Sequence, residues 1–298
     1  MAQRKNAVAL GSFDGLHRGH RAVLDLALSL KNIGLIPCAL VFDEHPLKVV
    51  GTGAPPELMT VQMRDGMLED LGIKVRKISF ARIAGMSAQE FFDEVLVGEL
   101  SAGAVCCGYN YRFAKNAAAG TDELKTLCLQ NGIECAVAPK TEYAGSAISS
   151  TRIRKALSDG NIEDANAMLG RCFSYCFTVV SGDRRGRLIG APTINQHFPE
   201  GFIVPKFGVY ASAVPIDGEL HAAVTNIGRR PSFTCNDLRS ETCITDFSGD
   251  LYGRDVEVKL LKYIRPERVF NSLDELSDQI AADAEKAKKI FKEASDIK

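Results

Sequence analysis

Residues 11–20 read Gly-Ser-Phe-Asp-Gly-Leu-His-Arg-Gly-His and follow directly on the apolar run Ala7-Val8-Ala9-Leu10. The pattern opens a helix near Arg18, and His17 and His20 lie three apart at its start, so both imidazoles project from the same end. A helix N-terminus, backbone N–H groups and two imidazoles around a glycine-rich turn make a place for a phosphate group. Imidazole N–H donors there would stabilise the charge that develops at an α-phosphorus as pyrophosphate leaves. Gly11, Gly15 and Gly19 let the backbone approach a ligand without Cβ collisions. The plain alternative is a turn with two surface histidines. A whole decapeptide set between strand and helix favours the chemistry.

Three other places carry chemical potential. In Ile148-Ser-Ser-Thr-Arg-Ile-Arg154, Ser150 or Thr151 can cap a short helix Arg152–Leu157, and Arg152 and Arg154 put cations near its start. Cations there oppose the helix dipole unless an anion is bound. In the glycine-rich stretch 182–195, which includes Gly186, Thr193 and Asn195 stand two apart on one side of an extended segment. Hard oxygens of this kind suit Mg²⁺ carrying ATP phosphates, although the lysine and following helix of a Walker loop are missing. Glu241, read as the first residue of a strand Glu241–Phe247, could accept the proton of an attacking alcohol. Taken alone, the loop reads equally well as a hairpin, and Glu241 reads better as a strand-end carboxylate facing water.

The elements that must position these groups fall into two textures. At 298 residues the chain is long enough for two domains. Strand-like Ala7–Leu10, Leu35–Phe42, Ala104–Cys107 and Ile133–Ala138 alternate with helical segments. The first of these repeats Val23, Leu26, Ala27 and Leu30 until Gly34; Ser87-Ala-Gln-Glu90 caps another over Phe91–Leu100; Thr121–Gln130 is a third. This alternation predicts an α/β domain over residues 1–170 with a parallel sheet covered on both faces and ligands at the carboxyl ends of its strands. Beyond it, Phe173–Val180, Gly208–Val214, Leu220–Asn226, Glu241–Phe247 and Val256–Ile264 predict a small antiparallel β-barrel over residues 171–298. It ends in a helix that Ser272 caps and that docks on the barrel through Leu273, Leu276, Ile280, Ala284, Ala287 and Phe291.

A formal net charge of −1 argues against a nucleic-acid partner. Nine cysteines without a C-x-x-C pair read as buried thiols of a reducing compartment. The first apolar stretch is too short for a signal peptide, and the run Ile33–Phe42, broken by Gly34 and Pro37, is too short to span a bilayer. A cytoplasmic chain, monomeric or weakly self-associating and acting on small molecules, is expected.

The decapeptide, Phe42-Asp-Glu-His-Pro46, Gly108-Tyr-Asn-Tyr-Arg-Phe113 and Ile148–Arg154 together resemble the adenylyltransferase half of bacterial bifunctional riboflavin kinase/FAD synthetases. Residues 182–195, Phe207–Tyr210, Asn226–Phe233, Glu241–Phe247, Asp250–Gly253 and Arg265–Glu267 resemble, in order, the motifs of riboflavin kinases. The resemblance implies a Rossmann-like nucleotidyltransferase domain followed by a kinase barrel, which convert riboflavin to FMN and FMN to FAD with ATP and Mg²⁺. It implies that Gly11, Phe13, Asp14, Gly15, His17, His20, Ser150, Thr151 and Arg154 serve ATP in the first half, with His45 near the nucleotide. Asn110 and Arg265 would serve the flavin. In the second half Gly186, Thr193 and Asn195 would serve ATP, Thr193 and Asn195 would hold Mg²⁺, and Glu241 would be the base. Ala114 stands where the family continues with glycine, and alanine resists positive φ. Two alternatives stay open: a riboflavin kinase with a weakened first half, and a flavin-binding regulator without chemistry.

Overall fold

The computed structural model describes residues 5–43, 51, 53–181, 193–230 and 237–294, and it divides into two compact units, Met1–Ser150 and Thr151–Lys298. The first unit runs β1 (Asn6–Leu10), α1 (Arg18–Ser29), β2 (Ile36–Phe42), α2 (Val61–Asp70), β3 (Lys74–Ile78), α3 (Phe91–Glu99), β4 (Ala102–Gly108), β5 (Arg112–Phe113), β6 (Ala119–Gly120), α4 (Thr121–Gln130), β7 (Glu134–Ala138), β8 (Glu142–Tyr143) and β9 (Ser146–Ala147). Its main sheet is parallel, in the order β3-β2-β1-β4-β7.

β1 is apolar at consecutive positions because both its faces are covered. Val8 and Leu10 pack into a core with Phe92, Leu96 and Leu124, whereas Ala7 and Ala9 face Leu24, Ala27 and Leu68 on the other side. The strand order reverses between β1 and β4, which opens a crevice at their carboxyl ends. The edge strand β3, Lys-Val-Arg-Lys-Ile, escaped the sequence reading because its charged positions leave no apolar alternation. The Ser87–Glu90 cap forms as expected, each side chain bonding the other's backbone N–H.

The second unit begins with the helix α5 (Ser150–Asp159), whose first residue belongs to the first unit, and α6 (Ile162–Leu169). Six strands follow, β10 (Phe173–Thr178), β11 (Thr193–His197), β12 (Gly208–Ile216), β13 (Glu219–Arg230), β14 (Asp237–Ile244) and β15 (Asp255–Arg265), and then α7 (Leu273–Glu293). They curl in the antiparallel order β10-β15-β12-β13-β14-β11, and a bridge between Val180 and Asn195 brings the two ends of the sheet together. α7 packs across β12, β13 and β15, with Ala287 fully buried. The change of texture in the sequence lies near residue 170, but α6 packs with the barrel. The Asn166 side chain donates to Leu260 O and accepts from Phe173 N–H. Inside the barrel the hydroxyls of Ser212, Thr225 and Thr242 form a buried chain with spacings of 2.7 and 2.9 Å.

Two local readings need correction. Glu241 does not begin a strand. Pairing with β13 extends β14 back to Asp237, which puts Glu241 mid-strand. Ser150 does not cap a helix starting at Arg152; it is the first helical residue, and its hydroxyl donates to Asp14 O at 2.9 Å.

Candidate active sites

The crevice at the end of β1 and β4 is a cavity of about 740 Å³, a size that accommodates a nucleotide-sized ligand. Gly11, Ser12, His17, Gly19, His20, Asn110 and Ser150 line it. His17 is the N-cap of α1: its Nδ1 accepts the His20 backbone N–H at 3.2 Å, which leaves its proton on Nε2. The rings of His17 and His20 stack at 3.7 Å, and Phe13 meets His20 edge-on. Two imidazoles are therefore held as one rigid plate at a helix N-terminus. Gly15, with φ 84°, makes this turn possible, while at Gly19 a Cβ would press on the His17 ring at 3.1 Å.

Not every predicted residue faces the cavity. Phe13 is fully buried behind it with φ 52°, and the Asp14 carboxylate accepts the Leu58 backbone N–H at 2.9 Å. Phe13, Asp14 and Gly15 shape the turn and do not line the wall. Thr151 and Arg154 follow Ser150 on α5, in the second unit. His45 and Gly186 lie outside the described residues.

The opposite wall was not anticipated from the sequence. Phe42, Phe80, Phe91, Tyr109, Tyr111 and Phe113 bring aromatic surface to the cavity from four separate stretches of chain. Tyr111 stacks on Phe113, and burial pushes its phenol above the usual range. The loop after Phe113 closes this wall. Ala114 holds φ 65° and ψ 177°, a conformation that only glycine adopts without strain, so the glycine-like backbone is retained with alanine in it. Arg112 clamps the loop by donating to Ala117 O at 2.9 Å and Ala118 O at 3.1 Å, and Lys115 N–H bonds Met86 O at 2.8 Å. No short-range signal marks Arg112, since its acceptors are backbone carbonyls five and six residues on.

In the barrel, strand register assembles a polar row. Asn195 on β11 pairs with Glu241 on β14, and Glu241 pairs with Asn226 on β13. The row continues through Val209 on β12 to Arg265 on β15. Thr193, two residues before Asn195, shares its face of β11. Asn195 is buried, and Glu241 is partly exposed with Arg239 Nη1 4.0 Å from its carboxylate. Asn226 donates to the Glu267 carboxylate at 3.2 Å. Arg265 is engaged elsewhere: its guanidinium makes a two-pronged pair with Asp283 of α7 at 2.7 and 3.0 Å, because a buried carboxylate requires a partner. Burial pushes the Cys243 thiol, opposite Thr193, above its usual value. Among the described residues no cluster of three His, Cys, Asp or Glu is placed to hold a metal alone.

Two family models cover the chain: FAD synthetase matches residues 1–152 and riboflavin kinase matches residues 169–291. A bifunctional riboflavin kinase/FMN adenylyltransferase of Bacillus subtilis is 33% identical over 97% of this chain and 93% of its own length. The Escherichia coli K12 protein of the same description is 35% identical over 95% of this chain and 92% of its own. The chain belongs to the bifunctional riboflavin kinase/FMN adenylyltransferase family. A crystal structure described as a macrolide-efflux protein from Streptococcus pneumoniae is 30% identical, covers 97% of this chain and 95% of its own, and superposes with a TM-score of 0.87. Among the described residues no helix is long and apolar enough to cross a membrane. Both catalytic domains of the family are present, so the chain is an enzyme of FMN and FAD formation. In family terms the stacked histidines lie in the adenylyltransferase half and the Asn195–Glu241–Asn226 row in the kinase half.

Proposed function

We propose that residues 1–170 transfer AMP from ATP to FMN in the histidine-lined cavity, and that residues 171–298 phosphorylate riboflavin along the Asn195–Glu241–Asn226 row. The stacked His17–His20 pair at the head of α1 carries the first assignment, because it puts two imidazoles into the lining of a cavity that aromatic side chains also line. The FMN phosphate attacks the α-phosphorus directly and pyrophosphate leaves. His17, through Nε2–H, and His20 stabilise the phosphate oxygens on which charge builds, together with Gly11 and Ser150. The turn residues Phe13, Asp14 and Gly15 hold that geometry. Asn110 and the ring faces of Tyr111 and Phe113 suit a planar isoalloxazine.

In the barrel, Glu241 takes the proton of the riboflavin 5′-hydroxyl as its oxygen attacks the γ-phosphorus of ATP, and ADP leaves. The Thr193 hydroxyl and Asn195 amide oxygen are hard donors on one face of β11, which fits Mg²⁺ with ATP oxygens and water completing its shell. When bound, Mg²⁺ neutralises charge on the transferred phosphoryl group. Gly186 is assigned to the same nucleotide. Arg265, tied to Asp283, seats the C-terminal helix beneath the flavin end of the row. The free thiols support a cytoplasmic location.

Chromatography of products from riboflavin, ATP and Mg²⁺ tests the two-site reading. His20→Ala stops FAD formation and leaves FMN formation; loss of both activities would sink it. Glu241→Gln blocks riboflavin phosphorylation while supplied FMN is still adenylated, and phosphorylation at a near-parental rate would remove Glu241 from the base role.

A further inference from the structure

The barrel's backbone leaves one seam nearly open. Neighbouring strands from β10 round to β11 are joined by ladders, but β10 and β11 themselves meet, among the described residues, through one bridge in which Val180 N–H donates to Asn195 O at 2.8 Å. Gln196, the next residue, spans that seam from inside. Its side chain is fully buried, and its amide nitrogen donates to Phe177 O at 2.6 Å and to Val256 O at 2.7 Å. Phe177 and Val256 are directly paired residues of β10 and β15, so one amide group with two hydrogens meets two carbonyls on two strands. Gln196 Oε1 makes no hydrogen bond, so the group acts here as a donor only. Strand alternation turns Thr193 and Asn195 to the opposite face of β11, towards Glu241.

We infer that Gln196 is a positioning residue for riboflavin phosphorylation, a latch inside the barrel that fixes β11 and with it the Thr193 and Asn195 oxygens. The inference rests on the reading that those two oxygens hold the nucleotide's phosphates and Mg²⁺. Without the latch, two carbonyls inside the barrel each lose a donor, and among the described residues β11 keeps a single backbone bond on that edge.

Steady-state kinetics on the full-length chain separates the possibilities. Gln196→Leu raises KM for MgATP in FMN formation about tenfold, KM for riboflavin changes less than about twofold, and adenylylation of supplied FMN is unchanged. Gln196→Glu replaces the two-hydrogen amide by a group that cannot donate to both carbonyls at once, and it raises KM for MgATP in the same way. Equal rises in both KM values, or an unchanged KM for MgATP in either variant, overturns the latch. Thr193→Ala and Asn195→Ala are measured alongside. If they leave KM for MgATP unchanged, the nucleotide reading itself fails; if they raise it and both Gln196 variants behave as parent, only the latch fails.

Discussion

Replacing Ala114 by glycine is expected to stabilise the first unit. An alanine held at φ 65° and ψ 177° stores about 1–3 kcal/mol of backbone strain. Glycine removes that strain and adds about 0.5–1 kcal/mol of chain entropy to be lost on folding. The balance favours the variant by roughly 0.5–2 kcal/mol, which for a unit of this size is an increase in Tm of about 2–6 °C. Valine at the same position is the control of opposite sign, because a β-branched side chain tolerates positive φ less well than alanine. Differential scanning calorimetry of the full chain reads the transition of the first unit, and FMN adenylylation is followed on the same preparations. Adenylylation by Ala114→Gly stays at or above the parental rate, and riboflavin phosphorylation is unchanged. A lower Tm for the glycine variant, or valine and glycine variants of equal stability, would show that Ala114 is not held in the conformation described.

Arg112→Ala frees the carbonyls of Ala117 and Ala118, and KM for FMN in adenylylation should rise about tenfold while riboflavin phosphorylation is untouched; limited trypsin digestion should cut faster at Lys115. Asp283→Ala strands a largely buried guanidinium and should cost the second unit about 3–5 kcal/mol in denaturant unfolding, most of it recovered in the double variant with Arg265→Leu. Burial raises the Cys38 thiol from its ordinary 9.0 to about 11. Between those values the unfolded chain loses the proton and the native chain keeps it, so this contribution is full below pH 9 and is lost as pH rises towards 11. The fall in Tm over that window should be shallower in Cys38→Ala.

What could be read from the sequence depended on whether the signal was local. The turn from β1 to α1 declared itself because Gly15, His17 and His20 act within ten residues, and the Ser87 and Ser272 caps did so for the same reason. Phe42 and Tyr111 stood out only as members of family-like motifs and Phe91 only as the start of a helix, and the folded sheet brings them together around one cavity. The Asn195–Glu241–Asn226 row is a matter of register between strands far apart in sequence, so Glu241 could be preferred to an ordinary surface carboxylate only through family resemblance. Gln196 gave no sign at all, since its acceptors lie 19 and 60 residues away.

The pairing of β10 with β15 also sets the order in which the two activities become available during synthesis. Phe173 lies beside Leu260 in the ladder, so the barrel's first strand has no ladder partner until its last has been made. The parallel sheet, by contrast, has all its strands once Ala138 is in place. On a ribosome adding about 5–20 residues each second, the half that performs the second reaction can fold several seconds before the half that performs the first. A chain stopped short of β15 would therefore release an adenylyltransferase attached to an unpaired strand, able to use FMN and unable to make it.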